Sequence, residues 1–404
     1  MKKPGNFVLI IILGALATIS PFSIDMYLPG FPGIASALGT SIDKVQLSLT
    51  SYFIGVSVGQ LLYGPLLDRF GRRRPLYLGL FIYIVSSVLC AAAGSVESLI
   101  ALRLLQALGG CVGMVASQAL VRDVFPANQT AQVFSLITLV IAVSPMIAPT
   151  IGGYVTAHAG WQWVFIILAA ITAMIGFAAY YYLPPGKGAN AELSLKPRAV
   201  LQNFFLVIRH PQFLVYSLAS GLAMAAPFAY IAGSPDVFMN IYGLTEQQYG
   251  WVFAFLAAGL IGSSQFIHLL LRVWKSEIII RNALWFQSLL GVLLVAGTLY
   301  GGWSLAGMIA LLFLFLCGHG LIGPNATSLT LAPFEHHAGS AAALLGAWRM
   351  GAGALMSALV SVLHDGTAMP MVGVMAGCAG ISLAILLAGR KATSNAFVNT
   401  NQLN

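Results

Sequence analysis

Charge is what this 404-residue chain has least of: only 7% of its residues are Asp, Glu, Lys or Arg, against roughly 25% in soluble domains. So few charges exclude a water-soluble surface. Cysteine is scarce too. The four present, Cys90, Cys111, Cys317 and Cys378, fall in separate apolar stretches without metal or redox spacing, and they read as buried packing thiols. The chain lacks a Gly-x-x-x-x-Gly-Lys phosphate loop, a His-Glu-x-x-His zinc motif and a Gly-x-Ser-x-Gly nucleophile elbow. Their absence removes the usual signals of ATP hydrolysis, metalloprotease and serine-hydrolase chemistry. No catalytic set is assigned, since Ser144, His268 and His319 are too scattered to pair a nucleophile with a base. No metal site is assigned either: His336 and His337, after Glu335, read as solvated loop residues. The sequence predicts a protein that is not an enzyme and holds no cofactor, so an ion gradient must drive any work it does.

What the chain does have is apolar sequence, 59% of its residues by count. A bilayer core about 30 Å thick needs about 20 apolar residues per helix, so this length holds roughly a dozen spans with short loops. In hydrocarbon every backbone polar group must be satisfied internally, and the runs lack the alternation of barrel strands, so the spans are helices. Hydropathy and polar interruptions predict an all-α membrane protein with twelve transmembrane helices, near 6–28, 44–66, 75–94, 98–121, 130–156, 161–183, 212–234, 246–270, 277–299, 303–326, 340–363 and 367–389. The start, Met-Lys-Lys and an apolar run from Phe7, reads as the first span because the run outlasts a signal peptide and no small-residue cleavage site follows.

With both termini cytoplasmic, Lys2, Lys3, Arg69, Arg72, Arg73, Arg74, Arg122, Lys187, Lys196, Arg198, Arg209, Arg272, Lys275, Arg281, Arg390 and Lys391 share that side, and only Lys44 falls opposite. This is the positive-inside pattern of an inner-membrane protein, and it makes the net charge of +8 topological. The expected partners are the lipid bilayer and a small-molecule substrate, with no nucleic acid.

The longest polar interruption, residues 184–211, falls near the middle. It predicts an N-terminal six-helix bundle over 1–183, a cytoplasmic central loop, a second six-helix bundle over 212–391 and a polar cytoplasmic tail, 392–404, read as disordered. Gly59-Gln60-Leu61 in the second span and Ser264-Gln265-Phe266 in the eighth, each about two turns before a basic loop, hint at duplication. Two-fold repetition is what alternating-access carriers use.

The sharpest local signal is Gly64-Pro65-Leu66-Leu67-Asp68-Arg69-Phe70-Gly71-Arg72-Arg73-Arg74-Pro75, between spans two and three. Gly64 is expected to let backbones approach, Gly71 to permit a tight turn, and Asp68 to pair with the Arg cluster. A topogenic basic loop explains the arginines but not the Gly-x-x-x-Asp-Arg-x-Gly-Arg-Arg order. That order, in this loop, resembles the signature of the major facilitator superfamily, and the resemblance implies a two-bundle carrier whose loop (Gly64, Asp68, Arg69, Gly71, Arg72, Arg73) latches one access state. The second-half counterpart, Leu271-Arg272-Val273-Trp274-Lys275, has lost the Asp and Gly.

Two further stretches are similar to drug:H+ antiporters of that superfamily. Arg103-Leu104-Leu105-Gln106-Ala107-Leu108-Gly109-Gly110 matches an Arg-x-x-Gln-x-x-Gly motif and puts a cation inside span four, where it faces a cavity or partner or snorkels to an interface. Ser144-Pro145-Met146-Ile147-Ala148-Pro149-Thr150-Ile151-Gly152-Gly153 in span five resembles the antiporter motif; Pro145 and Pro149 imply a bend, and Gly152 and Gly153 a close helix contact. Pro21-Phe22-Ser23-Ile24-Asp25-Met26-Tyr27-Leu28-Pro29, with the span-four stretch continued through Val121-Arg122-Asp123-Val124-Phe125, is similar to the bicyclomycin/chloramphenicol resistance (Bcr/CflA) exporters. That likeness implies proton-coupled efflux of bicyclomycin, phenicols or similar small amphipathic compounds, protons being the coupling ion. A natural metabolite or siderophore is the alternative cargo; an importer or a transport-like receptor fits less well.

Asp25, late in the first span, reads either as the coupling carboxyl or as an ordinary acid ahead of Pro29, and it is taken here with Arg103 as the coupling pair. Arg349, about ten residues into span eleven, can meet an acidic substrate, meet Asp25, or snorkel to the cytoplasmic face. Tyr27, Tyr52, Gln60, Met114, Gln118, Met146, Tyr230 and Asn325 join Arg349 as candidates for the substrate cavity, since polar, aromatic and soft side chains suit varied ligands. A single-domain carrier needs no partner subunit, so the monomer is expected to function.

Overall fold

The computed structural model describes residues 6–400 except 185, 187, 189–203 and 335–337. Most of the central loop and the His336–His337 pair therefore lie outside the described residues. Helices account for nearly all of what is described, and no strand occurs among the described residues.

The helices are α1 (Asn6–Asp25), a 3-10 turn (Leu28–Gly30), α2 (Phe31–Ala37), α3 (Ile42–Phe70), α4 (Arg73–Ala91), α5 (Val96–Val124), α6 (Ala127–Ala159) and α7 (Trp161–Tyr182). After the central segment come α8 (Pro211–Pro235), a π-turn (Asp236–Ile241), α9 (Glu246–Gln265), α10 (Ile267–Leu270), α11 (Ser276–Leu299), α12 (Leu305–Leu331), α13 (Ala338–Val362) and α14 (Met369–Thr400). Eleven stretches among the described residues are long and apolar enough to cross a bilayer. The twelfth span is α9, whose Gln247, Gln248, Ser263, Ser264 and Gln265 dilute its hydropathy.

Local chemistry sets several helix ends. Ser95 opens α5 with a capping box: its side chain accepts from the Ser98 N–H at 3.2 Å, and Ser98 Oγ accepts from the Ser95 N–H at 3.3 Å. Gly71 ends α3 at φ +79°, where a side chain would be strained. The first span is broken where the sequence predicted one helix to residue 28. A proline ring clashes with the carbonyl four residues back, and Pro29 stands four residues after Asp25. Helix α1 stops there, and the chain re-enters helix after Gly30. By contrast α6 runs unbroken through Pro145 and Pro149. At the other end α14 continues to Thr400, through the segment read as a disordered tail; after Gly389 no glycine or proline interrupts it. The Gly64 expectation is not met, because a Cβ there would find nothing within 4 Å.

Contacts divide the chain into two compact units, Met1–Leu195 with Phe238–Ala254, and Lys196–Val237 with Phe255–Asn404. The first half of α9 thus groups with the N-terminal helices. In the first unit, α1, α4, α5, α6 and α7 share a core that includes Leu13, Leu16, Leu80, Tyr83, Val112, Leu120 and Leu168. Leu76, Leu80 and Tyr83 bury one face of α4, while Leu78, Phe81 and Val85 leave the opposite face open. An apolar stripe of that kind facing outward is what a lipid environment requires.

Candidate functional site

The first unit gathers a polar cluster around Arg103, which is completely buried on α5. Its guanidinium stacks over Tyr52 at 4.2 Å and Tyr27 at 4.5 Å, with Phe165 at 5.7 Å. Nη1 donates to Gln106 Oε1 at 2.6 Å, and Nη2 donates to the Ser23 carbonyl at 3.0 Å. The Ser23 bond has a clear physical origin. The last four carbonyls of a helix have no intrahelical partner, and α1 ends two residues after Ser23, so Arg103 serves as a side-chain cap on the end of α1. The snorkelling alternative for Arg103 is excluded by its burial.

A relay of neutral groups supports the arginine. Gln106 Nε2 donates to Ser87 Oγ at 2.7 Å, and Ser87 Oγ donates to the Tyr83 carbonyl at 2.7 Å. Ser23 Oγ donates to the Ile19 carbonyl at 2.7 Å and also meets the Tyr83 hydroxyl. Tyr27 is tied through its hydroxyl to Ser48 Oγ at 2.7 Å. No carboxylate lies within salt-bridge distance of Arg103 among the described residues. Three aromatic faces and two oxygens replace the usual counter-ion, which is how a desolvated guanidinium is held without an acid.

Asp25 is the last residue of α1 and is 4% exposed. Among the described residues no side chain hydrogen-bonds or ion-pairs with it. Asp25 and Arg103, both assigned to proton coupling from the sequence, are linked through the backbone at Ser23 and not by a hydrogen bond or ion pair between their side chains. A buried carboxyl with no cation beside it is disfavoured as a fixed charge.

The span-five motif positions this carboxyl from the other side. A Cβ on Gly152 would collide with the Met26 carbonyl, the residue after Asp25, and one on Gly153 with the Glu246 carbonyl at the start of α9. Thr150 Oγ1 donates to the Met146 carbonyl at 3.1 Å and reaches the Gly250 carbonyl at 3.4 Å. The motif is therefore a packing surface. Gly152→Val is expected to push the α1 terminus away and to cost about 1–3 kcal/mol of stability from overpacking, which thermal unfolding measures.

At the predicted latch, Arg72 Nε donates to Asp123 Oδ2 at 2.8 Å and Nη1 to Asp68 Oδ1, while Arg73 Nη2 donates to the Leu183 carbonyl at 2.6 Å. Burial alone would lower the pKa of Arg72. The hydrogen bonds and charges of Asp123 and Asp68 outweigh that and hold it above arginine's ordinary range. Asp123, quoted in the sequence only as part of a longer likeness, is the buried partner; its side chain is 3% exposed against 52% for Asp68. Asp123→Ala leaves Arg72 half-compensated by a solvent-screened acid. It is expected to cost about 3 kcal/mol, the lower end for breaking a buried pair, which thermal unfolding measures.

Tyr27 and Tyr52 join the Arg103 cluster, whereas Gln60, Met114 and Met146 are half-buried and Gln118 is exposed. In the second unit Tyr230 and Asn325 are buried, and Asn325 Nδ2 is occupied by the Leu321 carbonyl at 2.9 Å. Arg349 does not snorkel: Nη1 donates to Thr327 Oγ1 at 2.9 Å, and Nε and Nη2 are both buried. Sequence reasoning missed Ser23 and Phe165 as partners of Arg103, and Ser87 and Tyr83 as the groups behind Gln106 and Ser23; the one available hint was hydroxyl residues inside otherwise apolar spans.

Comparison with known proteins gives a consistent picture. A model of the Major Facilitator Superfamily matches residues 13–358. The chain is 31% identical over 384 residues to a bicyclomycin resistance protein homolog of Haemophilus influenzae, covering 95% of this chain and 96% of that one. It is 28% identical to a chloramphenicol resistance protein of Pseudomonas aeruginosa (90% and 86% covered) and 30% identical to multidrug resistance protein D of Escherichia coli (88% and 89%). Among solved structures, a bacterial homolog of the human lysosomal transporter Spinster, in an inward-facing and occupied conformation, superposes with a TM-score of 0.70 at 12% identity, covering 97% of this chain and 98% of that one. At that identity the likeness speaks for the fold alone.

Proposed function

Because the chain belongs to the Major Facilitator Superfamily, and is therefore a multi-pass membrane transporter with that all-α, twelve-helix fold and not an enzyme, we propose that it exports small amphipathic compounds of the bicyclomycin or phenicol kind in exchange for protons, by alternating access. The observation that carries the coupling is Asp25: a carboxyl buried at the break of the first span, with no cation paired to it among the described residues. Two elements hold that break in place, Arg103 through the Ser23 carbonyl and Gly152 against Met26. Neither contacts the carboxyl itself, which leaves it open to exchange a proton as cargo enters and leaves. The similarity to resistance proteins named for bicyclomycin and chloramphenicol supports the cargo class. In this reading protons are the only cofactor-like requirement, the monomer suffices, and the protein sits in the bacterial inner membrane with both termini cytoplasmic, as the basic residues favour.

Arg349 supports a second reading, export of a natural metabolite or siderophore by the same mechanism, because a buried cation suits an acidic cargo. Energised inverted vesicles with a pH-sensitive dye separate the two. Proton release on adding bicyclomycin, chloramphenicol or florfenicol is the expected result. Silence to these with a response to a metabolite panel would replace the cargo, and silence to every compound would overturn the coupling.

A further inference from the structure

Arg349 sits eleven residues into α13, about 16 Å along the helix axis and so near the middle of its span. A cation at that depth is expensive and marks a functional group by default. Among the described residues its side chain is tied at one point, Nη1 to Thr327 Oγ1 at 2.9 Å, while Nε and Nη2 are buried with no hydrogen-bond partner there. Those two atoms carry the parallel N–H bonds along one edge of the guanidinium, the edge that grips a carboxylate bidentately.

Among the described residues of the second unit no acid fills that edge. Of the chain's eleven Asp and Glu residues, Asp236, Glu277, Glu335 and Asp365 belong to this unit. Asp236 faces His364 at 3.6 Å, Glu277 lies in the first turn of α11, and Asp365 hydrogen-bonds Thr367 beyond the far end of α13. Glu335 lies outside the described residues, fourteen positions from Arg349 along the chain. The facing helix presents a small residue between two polar ones. His319, Gly323 and Thr327 recur every four residues on α12 and so share one face. A Cβ on Gly323 would meet only the flexible tip of Met224 at 3.2 Å. His319, buried and within electrostatic reach of Arg349, has an Nδ1 with no partner.

We propose that the Nε–Nη2 edge of Arg349 is a receptor for a carboxylate carried by the transported substrate, with Thr327 fixing the guanidinium. The assignment rests on reading the chain as a substrate carrier and makes its preferred cargo anionic or zwitterionic. Neutral amphipaths then travel as weaker ligands.

Equilibrium dialysis of the purified full-length protein in lipid nanodiscs at pH 7.5 tests this without any gradient, so failure of proton coupling and failure of anion recognition stay distinguishable. The probes are 1-naphthoate, indole-3-acetate and cinnamate, each against its primary amide. The parent is expected to bind at least one carboxylate about tenfold or more tightly than its amide, the gap between a charge-assisted fork and neutral bonding. Arg349→Gln is expected to bring that ratio to about one, and Arg349→Lys, with a charge but no fork, to an intermediate value. A ratio near one for the parent in every pair overturns the proposal whether or not the variants fold, as does a ratio that survives in a folded Arg349→Gln.

Discussion

Asp25→Asn is expected to abolish substrate-driven proton movement while leaving energy-independent exchange of one substrate molecule for another. Asparagine is close in shape to the protonated acid and cannot release a proton, so it locks the group into one of its two states. The surroundings should tolerate the change, since among the described residues no side-chain hydrogen bond or ion pair to Asp25 is broken, and an amide costs less to bury than a carboxylate. The thermal unfolding temperature should therefore hold or rise. Labelled-substrate counterflow in proteoliposomes measures exchange, and a pH dye in energised vesicles measures coupling. Loss of both would recast Asp25 as a structural acid at a helix end, and retention of both would remove it from the mechanism.

Arg103→Ala is expected to reduce transport to the level of empty vesicles, by a different route. The guanidinium holds the Ser23 carbonyl and Gln106 Oε1. Removing it strands two buried acceptors, each worth about 1–3 kcal/mol, and opens a void among Tyr27, Tyr52 and Phe165. Relief from burying a charge offsets part of this, so the unfolding temperature should fall without the fold being lost. The α1 terminus loses its cap, and Asp25 with it loses a fixed position. Lysine is not expected to rescue, because one ammonium cannot reach both oxygens while lying flat against two rings. As a positioning residue, Arg103 should act on both coupling and exchange. A loss confined to proton coupling, with counterflow intact, would instead make it a direct proton partner.

How far the sequence carries depends on the kind of interaction. Span number and the basic loop were legible because they follow from hydropathy, charge and the rigid Gly71 turn, all local properties. The end of α1 was legible in part: Pro29 four residues after Asp25 disfavours a continuous helix there, but α6 runs on through Pro145 and Pro149, and apolar run length carried the predicted span to residue 28. Gly152 and Gly153 announced a close contact but not its object, since Met26 and Glu246 are distant in the chain. The Arg103 cage was the least legible part, because Ser23, Tyr83, Ser87 and Phe165 come from three other helices and none is unusual in its own stretch. Gly64 points the same way: a small residue in a motif suggested packing, and the fold leaves open space beside it.

Purified protein in proteoliposomes, given a pH gradient with the membrane potential clamped at zero and labelled chloramphenicol on both sides, tests coupled export most directly. With coupled export the drug accumulates above its equilibrium level on the acidic side and returns to equilibrium when the gradient is collapsed. A drug distribution that is the same with and without the gradient would contradict it.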